Sequence, residues 1–245
     1  MNTSSKSEQL QQAWNHRILA ATLRSSGVGS VVWGIIAIVI GFMMLEGNSI
    51  NAVLVLIGIG LVIEGVWLMV SPSPAGLIVD GLALWVLGVW NIIVTLMNMN
   101  AGHGSPIFAV LGCYQFYWGW KSFSRHDQFA SLANFQPTAD QSNEAVQMVN
   151  ATLAAKPDDA RFPLEFQEGQ TSWKARLFDD VAVFIKAGGE EILFVDKDSV
   201  NMTEEPGSDA AGEPQSHLRL GPRSLVGTLS AQARAAFATW KPLAA

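Results

Sequence analysis

Residues Gly60–Trp90 read GLVIEGVWLMVSPSPAGLIVDGLALWVLGVW. Apart from the Ser-Pro-Ser-Pro break, this stretch is hydrocarbon carrying two acids, Glu64 and Asp80. The same character extends in both directions. From Gly27 to Trp120 the only other formal charge is Glu46, and Lys and Arg are absent. From Lys121 onward the chain holds twelve of its fifteen basic and seventeen of its twenty-one acidic residues. A sequence divided in this way has one part suited to lipid and one part suited to water.

A hydrocarbon layer about 30 Å thick takes about 20 apolar residues in a helix. The apolar runs predict a four-helix membrane block over 27–123, with spans at 27–45, 50–70, 76–97 and 105–123. The breaks between them, EGNS, SPSPA and NMNAGHGSP, carry turn residues. Polar faces at helical period, the mark of a water-soluble bundle, are missing from these runs. Lys6, Arg17 and Arg24 precede the first span, and Lys121 and Arg125 follow the fourth. This bias predicts a multi-pass membrane protein with both termini cytoplasmic. Tyr114, Tyr117, Trp118 and Trp120 are then expected to form an aromatic belt at the inner interface. The first 24 residues contain no apolar core of a cleavable signal, so the first span is expected to direct insertion. The single cysteine, Cys113, excludes an intrachain disulfide.

The block also repeats itself. WGIIAIVIG (Trp33–Gly41) aligns with DGLALWVLG (Asp80–Gly88), matching Gly34 to Gly81 and Gly41 to Gly88. IGIGLVIEG (Ile57–Gly65) aligns with LGCYQFYWG (Leu111–Gly119), matching Gly58 to Gly112 and Gly65 to Gly119. Two glycines seven residues apart lie near one helix face, where they let backbones approach closely in lipid. The expectation is a duplicated helical hairpin; glycine-rich membrane helices matched by chance are the alternative. These glycine-marked hairpins resemble the small bacterial membrane proteins of the HdeD type, over Gly27–Trp120. The resemblance implies a bacterial inner-membrane protein linked to acid resistance, and it implies no catalytic residue.

In this alignment Asp80 takes the slot of Trp33, and Glu64 corresponds to Trp118. Both acids fall in the inner half of the bilayer at similar depth, on neighbouring helices. No intramembrane Lys or Arg is available to pair with them. Charge at that depth is costly, and two charges would repel, so a proton-binding pair is one reading. The other is that Asp80 caps a helix start and Glu64 is hydrogen-bonded within the bundle. Asn91 and Gln115 are expected to link helices through side-chain hydrogen bonds.

Residues 1–26 space Leu10, Trp14, Ile18 and Thr22 four apart. This predicts an N-terminal amphipathic helix, resting either on the inner leaflet or on the downstream domain. A linker and helix (SNEAVQMVNATLAA) are expected over 124–160. The period then changes to two. Strands are expected at 162–167, 172–178, 181–186, 191–195, 199–203, 217–220 and 224–229, with Gly188-Gly189 as a hairpin turn. A last helix, SAQARAAFATW, has Ser230 to cap it and Pro242 to stop it. Seven strands followed by one helix resemble the pleckstrin-homology layout, with Trp240 in place of its helix tryptophan. The resemblance covers about 161–245 and implies a cytoplasmic α+β domain shaped as a seven-stranded barrel with a C-terminal helix.

From Phe129 onward there are ten basic and sixteen acidic residues. A domain with that balance is repelled by an anionic leaflet, so a cytoplasmic protein partner, bound at an open strand edge, is expected before a lipid. The loop EEPGSDAAGE is expected to be a flexible connection. Walker, HExxH, CxxC and GxSxG patterns are absent from the sequence, and its four histidines lie far apart. No catalytic residue, metal, cofactor or nucleic-acid partner is expected. The sequence reading is a non-enzymatic, oligomeric membrane anchor or scaffold. A proton-responsive or proton-coupled protein using Glu64 and Asp80 is the alternative, and a lipid-binding sensor the third.

Overall fold

The computed structural model describes residues 5–43, 49–100, 106–155, 164–168, 171–189, 191–205, 215–220, 223–227 and 231–241. Its elements are α1 (Lys6–Met43), α2 (Ser49–Val70), α3 (Pro74–Asn100), α4 (Ile107–Phe129), α5 (Ala139–Leu153), β1 (Leu164–Glu168), β2 (Thr171–Leu177), β3 (Val181–Lys186), β4 (Ile192–Asp196), β5 (Val200–Glu205), β6 (Gln215–Leu220), β7 (Arg223–Gly227) and α6 (Ala231–Trp240). Two compact units emerge: Met1–Trp14 with Pro137–Ala245, and Asn15–Gln136. The expected boundaries at 26, 123 and 160 shift accordingly. The chain's first residues and α5 belong with the sheet.

The helical unit buries polar groups as well as a leucine cluster of Leu19, Leu23, Leu68, Leu77 and Leu132. Large apolar side chains such as Leu56, Val70, Val86 and Val110 face outward, while Asp80, Asn91, Thr95, Gln115 and Ser122 are buried. Lipid can solvate such a surface, and water cannot. Three helices are long and apolar enough to cross a membrane: α1, α2 and α3. α1 is about 57 Å long at 1.5 Å per residue, so a bilayer can take only part of it. α4 stands outside that set among the described residues. Gln115, Lys121, Ser122, Ser124, Arg125, His126 and Asp127 dilute its hydropathy.

The other unit is built on a seven-stranded antiparallel sheet in the order β4-β3-β2-β1-β7-β6-β5. All seven expected strands are present, with ends shifted by a few residues. β1 joins β7 through the pair Gln167 and Val226. The described ladder ends at β4 and β5, and no pairing between those two is seen among the described residues.

VAVFIK (β3) is a continuous apolar run because both of its faces are covered. Ala182 and Phe184 join Trp173, Leu218, Leu225 and Phe237 of α6 in one core. Val181, Val183 and Ile185 meet Leu10 of α1 and Ala145 and Val149 of α5 in another. Lys186 and Gly189 close the following turn, where Gly188 and Gly189 take positive φ of 96° and 74° that suits glycine alone. Thr138 and Gln141 form a capping box at the start of α5. Ser230, Pro242 and the stretch 206–214 lie outside the described residues.

Of the two places expected for the N-terminal helix, residues 6–14 take the sheet. Leu10 is buried there. Gln11 donates to the Ile192 carbonyl (3.1 Å) and accepts from the Phe194 N–H (2.9 Å). The outer edge of β4 is thereby occupied, which blunts it against pairing with another strand. Asp196 accepts from the Ser7 backbone N–H (3.0 Å) and hydroxyl (2.6 Å). Burial pushes the Asp196 carboxyl upward, but hydrogen bonds from Ser5 and Ser7 outweigh it and hold the group below its ordinary 3.8.

Truncating Leu10 to Ala removes a fully buried side chain and should cost about 2–5 kcal/mol, read from chemical unfolding of the sheet unit in the full chain. Because Asp196 titrates lower when folded, its stabilisation is complete above 3.8 and is lost as pH falls through the folded value. Asp196→Asn should therefore flatten the acid limb of the stability profile; an unchanged limb would show that Asp196 does not set it.

Candidate functional site in the helical unit

The helices of this unit touch through glycine. A Cβ built on Gly27 would lie 2.5 Å from the Gly65 carbonyl oxygen, and one on Gly34 would lie 2.6 Å from that of Gly58. The same holds in reverse for Gly58 and Gly65. In the second hairpin Gly81 and Gly119 oppose each other, as do Gly88 and Gly112, with corresponding distances of 2.9–3.1 Å. Neighbouring side chains follow suit. Val31 packs at Gly65 as Trp85 does at Gly119, and Ile38 packs at Gly58 as Ile92 does at Gly112. Every one of these contacts recurs with residue numbers raised by 54.

That constant offset corrects the alignment expected from sequence. Gly27 and Gly34, not Gly34 and Gly41, correspond to Gly81 and Gly88. Gly41 is buried one heptad further along α1. The position equivalent to Asp80 is therefore Ser26 rather than Trp33, whereas Glu64 keeps Trp118 as its counterpart.

Asp80 is the seventh residue of α3, inside the helix rather than capping it. It is 4% exposed and bridges three helices. Its Oδ1 accepts from the Ser26 hydroxyl of α1, and its Oδ2 accepts from the Ser122 hydroxyl of α4 at 2.6 Å. Two donors satisfy a carboxylate in a place where water is scarce. Glu64 is differently placed. It is buried to 9% exposure on α2, and Ser30 is near enough to interact with it, yet neither carboxyl oxygen has a partner of hydrogen-bonding geometry. Asp80 is also within electrostatic range of Glu64. The two acids thus share a neighbourhood, while the hydroxyls favour Asp80.

Further along the helices, Asn91 donates to Gln115 at 2.7 Å, so the expected α3–α4 link is formed. Tyr114, Tyr117 and Trp120 are exposed, and Trp118 lies edge-on to both tyrosines with Lys121 4.7 Å above its ring. Sequence reasoning missed Ser26, Ser30 and Ser122. Their signal was available: Ser26 and Ser30 are one turn apart on α1, at a spacing that puts both on one face. Among the described residues, no group of three or more His, Cys, Asp or Glu side chains is placed to hold a metal ion.

The glycine contacts separate tolerant from intolerant positions. Gly58→Ala and Gly65→Ala put a methyl against backbone and should lower stability in detergent by about 1–3 kcal/mol. Gly29→Ala and Gly60→Ala meet nothing within 4 Å and should be neutral or slightly stabilising. Thermal unfolding of the four variants in one detergent checks the contrast, and equal effects at all four positions would contradict the packing.

No family model, no curated protein and no solved structure matches this chain.

Proposed function

We propose that this chain is a multi-pass inner-membrane scaffold: a duplicated helical hairpin in the bilayer carrying a cytoplasmic, pleckstrin-homology-like domain that binds a protein partner. The observation that carries the anchor is the glycine contact pattern repeated at a constant 54 residues. A hairpin copied without insertion retains its contacts, whereas chance glycines have no reason to share one offset. On this reading α4, despite its lower hydropathy, is the fourth span, because it meets α3 as α2 meets α1. Four spans place both termini on one side, and the flanking Lys and Arg put that side in the cytoplasm.

The sheet order, with β1 beside β7 and a helix supplying Phe237 to the core, supports the pleckstrin-homology-like reading. Net negative charge beyond Phe129 favours a protein ligand over an anionic leaflet. With Gln11 on the β4 edge, the strand edge left for a partner among the described residues is β5 beyond Val200, which Lys241 holds, where Asn201 and Thr203 are exposed. A photo-crosslinking residue at Asn201 in the full-length membrane protein should trap a protein other than itself, and one at Glu191 beside β4 should not. Labelling at neither position, or equal labelling at both, defeats the edge-binding reading.

A second reading, proton response, is favoured by the unequal provision for the two acids. Asp80 accepts from two hydroxyls at hydrogen-bonding geometry, whereas Glu64 has Ser30 close by without that geometry. Glu64, the less well provided of two neighbouring buried acids, is the one whose burial the bundle leaves least offset. The variant combining Glu64→Gln with Asp80→Asn should lose any difference between acidic and neutral behaviour of the membrane protein. Wild-type behaviour of that variant across both conditions sinks the reading.

A further inference from the structure

A half-open cavity of about 680 Å³ lies between α1, α3 and α4 of the helical unit. Its size is in the range of small-molecule sites, roughly 300–1,000 Å³. The wall changes character from end to end. Thr22, Ser25, Asp80 and Arg125 line one end; Trp33, Leu87, Leu111 and Tyr114 line the other. Ser26 to Trp33 and Asp80 to Leu87 are each seven residues apart, a separation of about 10 Å along a helix. α1 and α3 run the same way and α4 runs against them, so the polar ends of all three coincide.

Such a wall fits an amphiphile. Its polar end offers one guanidinium and one carboxylate, which complement a head group bearing both a phosphate and an ammonium. We infer that this cavity holds an ethanolamine phospholipid, with its phosphate at Arg125, its ammonium at Asp80 and one acyl chain against Trp33, Leu87 and Leu111. The bonds from Ser26 and Ser122 hold the Asp80 carboxylate in place and leave lone pairs for a third donor. A second copy of the chain is the poorer occupant. Its lipid-facing stretch, Gly27–Trp120, holds no Lys or Arg that could enter the cavity and meet Asp80. The inference rests on the helical unit being in a bilayer.

Native mass spectrometry of the detergent-purified full chain, offered equal amounts of ethanolamine and glycerol phospholipids of the same acyl composition, tests it. The expected result is one bound ethanolamine lipid, preferred about tenfold, as suits one charge-assisted hydrogen bond. Arg125→Gln should weaken retention of both lipids, and Asp80→Asn should remove the preference. Leu87→Trp fills the apolar end without touching the Asp80 bonds, so it remains informative if Asp80→Asn fails to fold; it should release the lipid. Equal retention of the two lipids by the unaltered chain, full retention by Leu87→Trp, or a lipid-free dimer would each overturn the inference. A chain that disperses without detergent would defeat the bilayer reading before any lipid is added, so the two failures are distinct.

Discussion

Everything in the helical unit depends on backbone meeting backbone. Where Gly27 faces Gly65 and Gly34 faces Gly58, no room exists for even a methyl group. In lipid the apolar surfaces of two helices gain nothing by leaving solvent, so association has to come from close van der Waals contact and polar links. Glycine supplies the first by removing the side chain between the helices. Ser26, Asp80 and Ser122, with Asn91 and Gln115, supply the second. The outward-facing Leu, Val and Ile residues specify no partner within the fold; they make the unit soluble in hydrocarbon.

The two hairpins differ where the contacts are polar. One position holds Ser26 in the first and Asp80 in the second; another holds Glu64 in the first and Trp118 in the second. Ser26 and Asp80, 54 residues apart, bond to one another, so the polar difference between the hairpins is also a link between them. Glu64 lacks a partner of hydrogen-bonding geometry, with Ser30 close by. A buried acid so placed is an expense the fold does not need, and this is why it carries the second functional reading.

Much of this architecture was legible in the chain. Short apolar runs bounded by turn residues located all seven strands, since at least one face of each must be dry. The two-sided cover of β3 was not read from the continuous run VAVFIK, although such a run is its mark. The glycine register was read seven residues out of step for a physical reason. Gly27, Gly34 and Gly41 form a ladder with the same seven-residue step as the motif, so a slip of one step keeps two matches and loses none that sequence alone would miss. Only the opposing carbonyls of Gly58 and Gly65 fix the register. The long α1 was read as two segments because its polarity changes near Arg24, although helical hydrogen bonding continues across the change. The serines on Asp80 were overlooked because a serine in a membrane helix can bond its own backbone, so the shared face of Ser26 and Ser30 names no distant partner.

Glycine-selective ¹³C labelling of the full chain in lipid bilayers, read by solid-state NMR, reports the central contacts directly. The account predicts through-space correlations for Gly27 with Gly65, Gly34 with Gly58, Gly81 with Gly119 and Gly88 with Gly112. Their absence, or correlations confined to one hairpin, would contradict it.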